Sequence, residues 1–171
     1  QELVRKMRMG YNLKTVLKNC ELLAKAGFKA QVSVNYSFNV IDERPETIRQ
    51  TVAYHRELEK IFGADIVEPS IFFIGLQPHT LLEEYGLEKG LLKPGYNPMS
   101  LMPWTARKLL WNPEPMGKEF GRICLEAFDT NPNDFGRTVM NLLERDYGIS
   151  SLNEALTVEA KNRPVLAKSL R

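Results

Sequence analysis

Few residues of this chain are typed and spaced for chemistry. Cys20 and Cys124 stand far apart and share no CxxC or CxxxC spacing, so neither a disulfide framework nor a zinc knuckle has support. Both read as small apolar packing residues. No Gly-rich phosphate loop, HExxH or Ser–His–Asp arrangement is present. The stretch QVSVNYSFNV, Gln31 to Val40, carries the clearest pattern. Val32, Val34, Tyr36, Phe38 and Val40 fall on one side of a strand, because successive side chains point to opposite faces. Gln31, Ser33, Asn35, Ser37 and Asn39 fall on the other. That second row forms hydrogen bonds but carries no charge. It fits either a solvated sheet surface or the wall of a wet, neutral cavity that holds a ligand.

The elements that must position this row follow from periodicity. Leu13, Val16, Leu17, Cys20, Leu23 and Ala24 recur at helical spacing, with Asn12 placed as the cap and Gly27 as the stop. A strand over roughly Lys29 to Phe38 comes next. Pro45 suits the first turn of a second helix with the stripe Ile48, Val52, His55, Leu58, Ile61 and Phe62, closed by Gly63. A second strand lies within DIVEPSIFFIG. Its run Ser70 to Ile74 is almost continuously apolar, as in a strand covered on both faces, while Pro69 limits pairing at its start. A short helix around Leu81 to Tyr85, an irregular Pro- and Gly-rich connection, and helices over about Pro115 to Phe128 and Pro132 to Tyr147 complete the pattern. The second of these has Phe135, Val139, Met140, Leu142 and Leu143 as its stripe. Residues Ser150 to Arg171 start helical and then fray. No internal repeat is visible.

The 171 residues suit one domain, and 43% hydrophobic content is enough for a core. A formal charge of +2 produces no field that would favour nucleic acid or an anionic membrane. No apolar run approaches the ~20 residues of a membrane span, and the start is not a signal peptide, so a soluble, cytoplasmic protein is expected. The opening QELVRKMRMGYN reads as the tail of a helix, which suggests a fragment.

The spread of motifs resembles a known family. MRMGYNLKTVLKNCELLAKAGFKAQVSVNYSFNVIDERPETIRQTV is similar to the C-terminal half of radical S-adenosylmethionine (SAM) enzymes, especially the group with a cobalamin-binding domain ahead of the radical domain. Gly10, Asn12, Gly27, Glu43, Glu46, Thr47, Ile48 and Thr51 carry the likeness. Pro78, Thr80, Leu82, Gly90 and Leu91 continue it in SIFFIGLQPHTLLEEYGLEKGLL, and KLLWNPEPMGKEFGRICLEAF looks like the helix that often follows. The likeness spans roughly Leu3 to Phe128. At three positions this chain departs: Asn39, Asp42 and His79 stand where the family has glycine. Asn and Asp tolerate left-handed backbone better than most residues. The three-Cys motif that holds the [4Fe-4S] cluster is absent from the sequence.

What the resemblance implies is an α/β chain, a partial βα barrel over residues 1–93, with an irregular connection and packing helices over 94–149 and a tail over 150–171. SAM would lie against Ser33, Asn35, Ser37 and Asn39, with the last three nearest the adenosine. The [4Fe-4S] cluster, and a cobalamin if one is used, would belong to the full-length protein. Such a piece is expected to be inactive alone, to pair with the missing N-terminal part of the barrel, and to dimerise through an exposed edge. His79, with Gln77 beside it, reads first as a loop residue and second as a contact to an unidentified small-molecule substrate. His55 reads as a structural histidine and Glu43 as a helix cap. Trp104 and Trp111, with Tyr96 and Met102, read as packing or as a cover for a barrel mouth. An independent α/β binding or interaction module without catalysis is the alternative.

Overall fold

The computed structural model describes residues 10–97 and 110–148, together with Leu152. In chain order these form α1 (Leu13–Lys25), β1 (Val32–Phe38), α2 (Pro45–Phe62), β2 (Val67–Phe73), α3 (Leu81–Glu88), α4 (Met116–Thr130), a 3-10 turn (Pro132–Asp134) and α5 (Phe135–Tyr147). The expected helical start at residues 1–9, the cover formed by Met102 and Trp104, and the tail from residue 150 lie outside the described residues, apart from Leu152. No helix among the described residues is long and apolar enough to cross a membrane.

The punctuation works as the residue types require. Asn12 caps α1, its side-chain oxygen accepting from the Lys14 amide at 2.9 Å. Gly27 ends it at φ 84°, and the Phe28 amide reaches back to the Leu23 carbonyl at 3.1 Å. Pro45 opens α2 and Gly63 closes it at φ 103°.

The two strands pair in parallel, with Val32 opposite Val67 and Phe38 opposite Phe73. Tyr36, Phe38, Ile71 and Phe73 face helices α2, α4 and α5. There Phe38, Ile48, Val52, Phe120, Ile123, Val139, Met140 and Leu143 form the main core. The Phe38 and Phe120 rings lie 5.0 Å apart. Leu76, Leu82, Leu92 and Trp111 make a second cluster beneath α3. Trp111 is therefore packing, buried to 3% exposure and tied to β2's exit by its amide on the Ile74 carbonyl at 2.8 Å.

The opposite face of the sheet is open. Ser33, Asn35, Glu68, Ser70 and Phe72 are exposed on it, Phe72 to 43%. This corrects the expectation that β2 is covered on both faces. An apolar run records that a strand is hydrophobic, not which of its faces meets a neighbour. Among the described residues the sheet has two strands, and no barrel is closed.

Candidate functional site

The expected row divides. Ser33, Asn35 and Ser37 share the open face, opposite Glu68, Ser70 and Phe72 of β2. Gln31 lies at its lower end, where its amide donates to the Glu68 carboxylate. Asn39 is elsewhere: it is buried to 2% exposure at φ 54°. Its amide donates to Asn112 Oδ1 at 2.6 Å and to the Pro113 carbonyl at 2.9 Å. That side chain ties the end of β1 to the segment entering α4.

Beside the row is a cavity of about 480 Å³. Leu13, Val16 and Cys20 of α1 form one wall, and Thr47, Gln50, Thr51, Tyr54 and Leu58 of α2 another. Residues of β1 from Val32 to Ser37 supply the third; no residue of β2 lines it. The cavity thus runs along the edge of β1 away from β2, which no strand among the described residues pairs. The Val32 amide bonds the Ile66 carbonyl at 2.9 Å, so Val32, Val34 and Tyr36 direct their backbone groups toward β2. By alternation, the N–H and C=O groups of Ser33, Asn35 and Ser37 point into the cavity. Sequence reasoning missed the α2 wall. Its signal was a second stripe at i, i+3, i+4, i+7, running Thr47, Gln50, Thr51, Tyr54 beside the core stripe.

The free edge of β2 is closed. Pro69 has no N–H to offer there, and its carbonyl lies against Gly136 at the start of α5, where there is no room for a Cβ. Arg137 of the same turn donates to the Ala64 carbonyl.

Glu43 is on the cavity wall beyond the end of β1. It acts on α2 indirectly: the Thr47 hydroxyl bonds its carboxylate, and the Arg44 amide donates to Thr47 Oγ1 at 3.0 Å. Burial raises the Glu43 pKa, opposed by the Thr47 bond, by the Val40 and Asn39 amides and by Arg44. Tyr54, also on the wall, is pushed up to about 12, chiefly by burial. Tyr36 turns its hydroxyl away from the cavity to His55 Nδ1 at 3.1 Å, and burial raises its pKa. His55 is fully buried, with Nε2 3.3 Å from Glu59 Oε1. Burial lowers its pKa, Glu59 raises it, and Arg56 and Arg137 lower it further.

Gln77 and His79 are exposed in the loop after β2, away from the cavity. The His79 amide donates to Glu83 at 2.6 Å, and the Gln77 carbonyl accepts from Thr80 Oγ1 at 2.8 Å. Cys20 is on the α1 wall and Cys124 on α4, and burial raises both thiols. Among the described residues no three His, Cys, Asp or Glu side chains gather as metal ligands, so these residues do not fit an iron–sulfur cluster. Comparison of the chain with family models, curated proteins and solved structures finds no match in any of the three.

Proposed function

We propose that the chain is the C-terminal portion of a radical SAM enzyme, of the group carrying a cobalamin-binding domain, and that Ser33, Asn35 and Ser37 face its SAM ligand. The observation that carries this reading is backbone geometry. Asn39, Asp42 and His79, which replace family glycines, are the non-glycine residues with positive φ among the described residues, at 54°, 60° and 63°. All three departures keep the conformation that glycine serves. The open face of a two-stranded parallel sheet, neutral and polar along β1 with Glu68 as its charge on β2, also suits a partial βα barrel with its ligands inside.

On this reading the chain's own residues position rather than react. Ser33, Asn35 and Ser37 supply neutral hydrogen bonds, and Asn39 holds the strand end in place. The cluster, any cobalamin and the reductive cleavage of SAM belong to the complete protein, as do the substrate and the N-terminal strands that complete the barrel. Gln77 and His79 remain the proposed substrate contacts at the exit of β2.

Titration of the isotopically labelled chain with SAM, followed by amide NMR, tests the reading. Shifts confined to the neighbourhood of Ser33, Asn35 and Ser37 are expected, with Asn35→Ala weakening binding by about 1–3 kcal/mol. A spectrum unmoved at millimolar SAM would move the assignment to an independent α/β binding module. The cavity of about 480 Å³ is the observation that favours that second reading.

A further inference from the structure

We propose that the cavity along β1 is a strand-acceptor site whose occupant is an extended, uncharged polypeptide segment, apolar on one face and small and polar on the other. The inference stands on the edge and the cavity, and not on which small molecule meets the Ser33 face.

Three features define the occupant. Backbone groups of Ser33, Asn35 and Ser37 enter the cavity at every second residue, the spacing at which a neighbouring strand presents its own donors and acceptors. The cavity walls then fix its side chains. One alternate set would meet Leu13, Val16, Cys20 and Leu58, and the other would emerge on the open face beside Ser33 and Asn35. Charge complementarity fixes its character: among the described residues Glu43 is the one Asp, Glu, Lys or Arg side chain on the wall, and it is engaged by Thr47. A charged segment would lose hydration there without a partner.

The α1 helix supplies independent support. Its apolar stripe Leu13, Val16, Leu17, Cys20 and Ala24 is of the kind that buries against a core, yet no residue of α1 is buried. Leu13, Val16 and Cys20 of the stripe line the cavity, and a strand on the β1 edge would cover them. The alternative edge is unavailable, because Pro69 and Gly136 close β2.

A fluorescently labelled nonapeptide of alternating Val and Thr, with charged ends outside the paired region, tests this on the whole chain by anisotropy. Saturable one-to-one binding is expected. Methylating the amide nitrogens that face β1 should weaken it at least about tenfold, whereas methylating the intervening amides should change it by less than about threefold. Cys20→Trp, which fills the cavity from α1, and Asn35→Pro, which removes an outward N–H without touching a β1–β2 bond, should each weaken it about tenfold or more. Both variants are checked for native circular dichroism, and one folded variant suffices. Absence of binding at millimolar peptide, equal affinity of the two methylated peptides, or a chain that remains self-associated at saturating peptide would overturn the proposal. All of these outcomes are read without SAM, and the amide NMR titration remains the separate test of the Ser33 face.

Discussion

Gly136 and Pro69 meet backbone to backbone: the first turn of α5 lies so close to the Pro69 carbonyl that a Cβ on residue 136 would overlap it. This contact joins the C-terminal helices to the sheet and ends the sheet at β2. The two edges of a two-stranded sheet therefore differ. One is stopped by a proline and a helix, and the other faces a cavity.

Gly136→Ala should consequently destabilise the chain by about 3 kcal/mol or more, since the obstructing atom is backbone and cannot rotate aside. Gly121, within α4, has open space around its Cβ position, so Gly121→Ala should instead stabilise by about 0.5–1 kcal/mol. Urea unfolding of the two variants reads both signs. Equal effects would mean that α5 does not seat on Pro69.

His79→Gly should be neutral to stabilising by up to about 1 kcal/mol. Relief of left-handed strain at φ 63° exceeds the extra entropy of glycine in the unfolded chain. Asn39→Gly should be destabilising despite φ 54°, because it deletes the bonds to Asn112 and Pro113. Thermal unfolding distinguishes the two, and a loss at His79 similar to that at Asn39 would contradict the strain argument.

His55 should make stability depend on pH. Its folded pKa is lowered from 6.5, chiefly by burial, so the unfolded chain binds the proton more readily. The stability tied to neutral His55 is full above pH 6.5 and is lost as pH falls below that value toward the folded pKa. Tyr36 of β1, Glu59 and Arg56 of α2 and Arg137 of α5 surround the ring or act on it. Comparing native chain with His55→Gln in urea between pH 7.5 and 5.5 isolates the histidine. The native chain should lose more stability over that range, and parallel curves would count against the assignment.

Element ends were legible because single residues encode them. Asn12, Gly27, Pro45 and Gly63 cap, stop or start helices through local backbone chemistry. Stripes such as Val139, Met140, Leu142 and Leu143 were legible for the same reason. Relations between distant segments were not. Nothing in the sequence near Asn39 announces Asn112, and Phe72 reads as buried until its 43% exposure is known. Within the row Ser33 to Asn39, alternation identified the face, but a change to positive φ at Asn39 took its last member out of it. The cavity was invisible because it is bounded by three elements, none of which is unusual alone.

Self-association should run through one edge. With β2 closed by Pro69 and Gly136, a two-fold dimer formed by sheet extension must pair β1 with β1 of a second copy, because a two-fold axis brings identical edges together. Light scattering after size exclusion at micromolar concentration should show a dimer in the absence of any other strand partner. Asn35→Pro should shift it to monomer, since it removes an outward N–H from β1 and leaves the β1–β2 bonds in place. The Val–Thr peptide should do the same by competing for the edge. A dimer that Asn35→Pro leaves intact would have to use another surface, of which exposed Leu125 and Phe128 on α4 are the nearest candidates in chemistry, at 70% and 63% exposure.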